Sequence, residues 1–172
     1  MARTSDGHTL LLTTDSSMSI NPHLFSKLPY DAVRDFLPVS QLVLLQQLML
    51  AHPSLPANTI GELIALAKQR PGEITYGSSG YGAAGHVNVA LLEGMTGIKL
   101  APVHYRGASP ALNDVLAGES VQLMFATIPS AINHIRAGKL RALAVTSLRR
   151  SGGLPEVPTV AESGVPGFDA SS

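Results

Sequence analysis

The strongest constraint on this chain is an alternation. From Thr59 to Ser147, short apolar runs alternate with capped, helix-like stretches. Thr59-x-x-Glu62 is a capping box, and it opens Leu63-Ile64-Ala65-Leu66-Ala67-Lys68, closed by Pro71-Gly72. Ile74-Thr75-Tyr76 reads as a strand. A Gly/Ser loop follows, then a helix from about Ala83 to Thr96 with Gly97 past its end. Lys99 to Tyr105, Val121 to Ala126 and Leu140 to Thr146 read as further strands. Between them, Ser109-Pro110 opens a helix that stops at Gly118, and Ser130 to Ala137 forms a shorter one ending at Gly138. Strands spaced by helices in this way predict parallel βαβ units with right-handed crossovers. Near-continuous apolar strands suit a sheet covered on both faces.

The flanks do not continue the pattern. His8 to Thr14 is rich in β-formers and predicts a strand, followed by hydroxyl residues and the turn signal Asn21-Pro22. Val43 to Ala51 reads as a buried strand or a helix fragment, with strand the favoured reading, ended by His52-Pro53. Beyond Arg150 the chain reads as loops with one helical turn at Thr159 to Glu162. The expected organisation is a partial first lobe over 1–44, a central α/β lobe over 45–147, and a crossover back toward the first lobe over 148–172.

Composition narrows the function. Apolar residues make up 45% of the 172, and charged residues only 14%, which suits a packed chain and not a disordered one. Twelve basic residues balance twelve acidic ones, so no electrostatic footprint for nucleic acid or an anionic membrane is present. The chain has no cysteine, which removes disulfides, thiolate zinc sites and thiol catalysis. The six histidines show no paired metal spacing on one helix face. No run approaches the length of a membrane span, and Met1 to Gly7 carries no apolar signal-peptide core.

The segment richest in chemistry is Tyr76-Gly77-Ser78-Ser79-Gly80-Tyr81-Gly82-Ala83-Ala84-Gly85-His86, between a strand and a helix. Glycines let a ligand approach the backbone, and a helix start offers unpaired N–H groups to an anion. Gly80-x-Gly82-x-x-Gly85 matches the dinucleotide fingerprint, yet that reading needs an acid at the end of the next strand. Here the strand ends His104-Tyr105-Arg106. An anion site, a nucleotide site and a plain tight turn all stay open on these residues alone. Ser78 and Ser79 miss the spacing of a nucleophile elbow by one residue, which points to hydrogen bonding or capping. His86 lies in the first turn of its helix, facing the loop. Tyr105 and Thr127 end neighbouring strands and are candidates to reach the same crevice. Thr14, Ser16 and Ser17 offer hydroxyls after the first strand. No pair of acids sits at these strand ends, which favours binding over hydrolysis or metal chemistry.

Taken in order, these words resemble a known family. They are Asp6-Gly7-His8-Thr9-Leu10-Leu11, Leu28-Pro29-Tyr30-Asp31, Asp35-Phe36-Leu37-Pro38-Val39, Tyr76-Gly77-Ser78-Ser79-Gly80-x-Gly82 with His86, Tyr105-Arg106-Gly107, Gly138 to Thr146, and Pro155-x-Val157-Pro158-Thr159-Val160-x-Glu162-x-Gly164. The chain resembles the substrate-binding receptors of tripartite tricarboxylate transporters along almost its whole length. The resemblance implies an α/β, type II periplasmic-binding-protein-like fold, with one complete parallel-sheet lobe plus part of a second. It implies a periplasmic receptor that captures a small carboxylate between lobes for a membrane permease. No enzymatic activity, cofactor, nucleic-acid partner or membrane insertion is expected. Carried over by position, Ser78, Ser79, Gly80, Gly82 and His86 match the family's central-lobe loop, Tyr105 its Pro-Tyr-Arg/Lys-Gly turn, and Thr14, Ser16 and Ser17 its first-lobe loop. His104 stands where the family usually has proline. The resemblance further implies segments before Asp6 and beyond Asp169 that this chain lacks, and so poor ligand binding by the chain alone. The rival readings are a nucleotide-dependent α/β enzyme using Gly80 to Gly85 and a stand-alone metabolite sensor.

Overall fold

The computed structural model describes residues 7–171, which divide after Leu44 into two compact units. The first unit, to residue 44, contains a π-helical turn, Ser16–Ile20, and a helical turn α1, Asn21–Leu24, with Pro22 in its first positions. The Tyr30 hydroxyl donates to Ser17 O at 2.6 Å, and the Tyr30 and Phe36 rings meet edge to face at 5.8 Å. Asp31 Oδ1 accepts from the N–H groups of Val33 and Arg34, which holds its carboxyl below the usual range. The strand expected over 8–14 does not form. Leu10 is 83% exposed and Leu12 79%, and no described strand pairs with them. β-forming side chains do not make a strand without a ladder partner to take up the backbone hydrogen bonds.

The second unit is built on five strands: β1 Gln47–Ala51, β2 Thr75–Ser78, β3 Ala101–His104, β4 Leu123–Thr127 and β5 Arg141–Val145. Their order across the sheet is β3-β2-β4-β1-β5. β2 runs parallel to both β3 and β4. β1 is antiparallel to both β4 and β5, with an irregularity between Met49 and Leu50 on the β5 side. The sheet is therefore mixed, where sequence alternation suggested an all-parallel one. Alternation specifies the crossovers that link successive β2 to β5. It says nothing about the direction of β1, whose way into α2 runs through an eight-residue loop, 52–59.

Helices α2 Ile60–Gln69 and α3 Ala84–Thr96 pack on one face; α4 Ala108–Ala117 and α5 Ile128–Arg136 pack on the other. The two-residue period of the strands divides the core accordingly. Met49, Ala51, Leu123 and Phe125 meet Leu63, Val89 and Leu92, whereas Leu48, Leu50, Met124 and Ala126 meet Ala111, Val115 and Ala131. The caps read from sequence are present. Thr59 Oγ1 accepts from Glu62 N at 3.1 Å, and Glu62 reaches back to Asn58 N. Gly97 and Gly118 end α3 and α4 in the left-handed conformation. α4 starts one residue before the expected cap, at Ala108, with Gly107 at φ 125°.

Residues 148–171, expected to cross back toward the first lobe, pack within this second unit. Leu154 and Val157 join the α4–α5 face; Val160, Val165 and Phe168 join the α2–α3 face. Val160 N donates to Val145 O, and Ala170 N to Thr146 O, each at 3.0 Å. Thr159 and Glu162 cap each other reciprocally at 2.9 and 2.8 Å. Among the described residues no helix is long and apolar enough to cross a membrane.

Candidate functional site

The site lies at the carboxyl end of β2, where the chain turns through Ser79 to Ala83 into α3. Ser78 is buried at the strand end. Its Oγ donates to Gly80 O at 2.7 Å and accepts from Gly80 N at 3.2 Å, so one hydroxyl closes the turn. Gly80 has φ 147° and Gly82 φ 74°, conformations that L side chains rarely adopt. Ala83, at the cap position of α3, gives the helix no side-chain cap. His86 N and Val87 N both donate to Ala83 O, at 2.9 and 3.1 Å, so Ala84 and Gly85 are the helix-start residues whose N–H groups that carbonyl does not take up.

His86 turns back toward this loop. Its Nδ1 accepts from Gly82 N at 3.1 Å, and its ring lies 4.8 Å from the Tyr81 ring, tilted by 38°. His104, at the end of β3, completes a three-ring cluster, 5.0 Å from His86 and 5.8 Å from Tyr81, both edge to face. His104 Nδ1 lies 3.3 Å from Ser78 Oγ. Partial burial, and then the neighbouring His104, push the His86 imidazole below its usual range; Glu93 on α3 acts in the opposite direction. Ser79 and Tyr81 are exposed.

The structure thus brings together Ser78, Ser79, Gly80, Gly82 and His86. It does not bring Tyr105 into this group. Val103 and Tyr105 pack against the α4–α5 core, and the Tyr105 hydroxyl donates to Asp114 on α4. Desolvation and that bond push the phenol up to about 12. The crevice position goes instead to His104, which sequence reading treated only as a replaced proline. The signal was available: side chains alternate along a strand, so His104 and Tyr105 cannot face the same way. Tyr81 was also missed as a ring partner. Thr127 stands at the cap position of α5 without capping it; its Oγ1 donates to Ser130 Oγ at 3.1 Å. Beside it in the ladder, Gln47 Oε1 accepts from Asn88 Nδ2 of α3 at 2.9 Å. Thr14, Ser16 and Ser17 lie in the first unit, where Ser17 N donates to Thr14 O at 3.2 Å.

Among the described residues there is no group of three metal-ligating side chains. The loop offers backbone and hydroxyl donors, and an imidazole, with no carboxylate among them. It suits an anion held by hydrogen bonds. It lacks the ribose-binding acid of the dinucleotide fold: β3 ends at His104 and runs on into Tyr105 and Arg106.

A mixed sheet layered by helices on both faces, with a donor-rich loop at its carboxyl edge, is an architecture this chain shares with solved periplasmic binding proteins. Residues 1–172 match the sequence profile of the tripartite tricarboxylate transporter family receptor, and the chain belongs to that family. The family is one of solute-binding receptors, not enzymes. BugT of Bordetella pertussis is 36% identical over 168 residues, covering 97% of this chain and 51% of BugT. The structure of Rhodopseudomonas palustris Rpa4515 with adipate superposes with a TM-score of 0.79 at 37% identity, over 86% of this chain and 49% of that one. MatC from Rhodopseudomonas palustris with bound malate gives a TM-score of 0.82 at 28% identity, over 91% of this chain and 53% of that one. The chain spans about half the length of the relatives it matches.

Proposed function

We propose that this chain supplies the central lobe of a periplasmic receptor that captures a small di- or tricarboxylate, or a related organic acid, for delivery to a membrane permease. The observation that carries the proposal is the acid-free loop from Ser78 to His86. Two positive-φ glycines and an uncapped helix start make it a hydrogen-bonding cradle for a carboxylate. Similar structures hold adipate and malate, which are carboxylates of this class. Ser79 Oγ and the N–H groups at the start of α3 are the proposed donors; Gly80 and Gly82 give the ligand room to approach, their own N–H groups being held by Ser78 Oγ and His86 Nδ1, with Ser78 shaping the turn and His86 facing it. Thr127 is a further proposed donor at the same sheet edge. In its own unit, the turn from Thr14 through Ser16 and Ser17 presents hydroxyls of the same chemistry.

Calorimetric titration with adipate, malate, citrate and NADP, carried to the millimolar concentrations that weak binding by this chain alone requires, tests this reading. A response to the carboxylates and none to NADP is expected. Saturable binding of NADP with no response to any carboxylate would replace it with a nucleotide-binding function.

A further inference from the structure

Hydrogen bonds around the ring cluster assign the protons of its two histidines. A serine hydroxyl has one hydrogen. Ser78 Oγ directs it to Gly80 O at 2.7 Å, so the other groups within reach of that oxygen must donate to it. One is Gly80 N at 3.2 Å, and the other is His104 Nδ1 at 3.3 Å. His104 therefore carries hydrogen on Nδ1, and in the neutral ring its Nε2 is a bare acceptor. His86 is the reverse. Its Nδ1 accepts from the Gly82 amide at 3.1 Å, so its hydrogen is on Nε2.

The two rings differ in what a second proton would cost. On His86 it would land on Nδ1 and break the bond to Gly82, opening the loop. On His104 it would land on Nε2, leaving the bond to Ser78 in place and adding an outward donor. His104 is exposed at the strand end. The groups facing it are Ser78 from β2, Tyr81 from the loop and His86 from α3. None of them is an acid. The field of a carboxylate, Glu93, reaches His86, and Glu93 is itself engaged by Leu100 N at 2.7 Å and Lys99 at 3.6 Å. An imidazolium at His104 has no built-in counter-ion in this cluster, and an anionic ligand on the loop would provide one.

We infer that His104 is a specificity-determining residue of the carboxylate site, taking up a proton at Nε2 as the ligand docks while His86 stays neutral. The inference rests on the receptor reading above. It makes binding stronger in mildly acid solution, because ligand and proton favour one another.

The test uses the full 172-residue chain, with adipate as probe. Ring-nitrogen NMR of the ligand-free protein should place the hydrogen on Nδ1 of His104 and on Nε2 of His86. Adipate affinity, followed by amide shifts, should rise roughly threefold to tenfold between pH 8 and pH 6, the range in which an imidazole titrates. In H104N the amide can still donate to Ser78 Oγ but cannot take a proton, and the rise should vanish. An Nε2–H tautomer at His104, equal affinity at the two pH values, or a rise that survives in H104N overturns this inference and leaves the receptor reading standing. If adipate at tens of millimolar moves no loop amide at either pH, the receptor reading falls and this inference with it.

Discussion

Replacing Phe168 by alanine is the sharpest probe of how the C-terminal segment is held. Phe168 is 0% exposed and sits in one core cluster with Met49, Leu143, Val160 and Val165. Trimming the ring to a methyl group removes on the order of 100 Å² of buried apolar surface. At about 25 cal/mol per Å² that is about 2.5 kcal/mol. The cavity left behind adds a further contribution, since the sheet and α2 cannot fully collapse into it, and buried Phe→Ala changes cost about 3–5 kcal/mol in all. Against a domain stability of roughly 5–15 kcal/mol, this is a large fraction. With a urea slope of roughly 1–3 kcal/mol per molar, the midpoint should fall by about 2 M. Urea unfolding followed by circular dichroism reads it directly. Leu10→Ala is the control: Leu10 is 83% exposed, and its replacement should change stability by less than about 0.5 kcal/mol. A loss below about 1 kcal/mol for Phe168→Ala would refute the packing of 148–171 onto the sheet.

Other expectations follow from single contacts. A methyl group at Gly85 would meet Phe125 at 3.5 Å, an ordinary contact, so Gly85→Ala should be tolerated and gain up to about 1 kcal/mol of helix stability by thermal melting; a large loss would show the close helix–strand approach of a dinucleotide site. Gly82→Ala must adopt φ near 74° and should cost roughly 1–2 kcal/mol in urea unfolding, loosening the loop. Asn88→Leu leaves the half-buried Gln47 Oε1 without its donor, with an expected loss of about 1 kcal/mol by the same measurement. Bonds to Thr159 N and to Arg150 hold the Glu162 carboxyl below its ordinary value of 4.5. Its contribution is therefore complete above that value and lost as pH falls through the depressed one, so Glu162→Gln should flatten the acid limb of the stability profile. Hydrogen exchange should be slow in 74–77, 121–126 and 140–146, and also slow near 160–168, with fast exchange across 7–44.

Element identity was legible where caps and apolar runs agree. Thr59 with Glu62, Gly97 and Gly118 mark helix ends that the structure reproduces. Strand direction was not legible, because β1 carries the same apolar signal whether parallel or antiparallel, and only its ladder partners decide. The role of 148–171 was hidden for a related reason. Val160, Val165 and Phe168 are spaced irregularly, without a helical or strand period, and join the α2–α3 core from a loop. The loop chemistry was legible through its glycines and serines. The exchange of Tyr105 for His104 followed from the pleat, which local motif matching ignores.

The account stands or falls on whether a carboxylate occupies the loop after β2. Amide-resolved NMR of this chain during adipate addition measures that occupancy residue by residue, in wild type and in Ser79→Ala. The account predicts shifts concentrated at residues 79–86 and 104. Ser79→Ala should weaken them by roughly tenfold or more in apparent affinity, as expected for loss of a hydrogen bond to a charged group at about 1.5–3 kcal/mol. Shifts that saturate elsewhere on the sheet, or that are unchanged in Ser79→Ala, would contradict it.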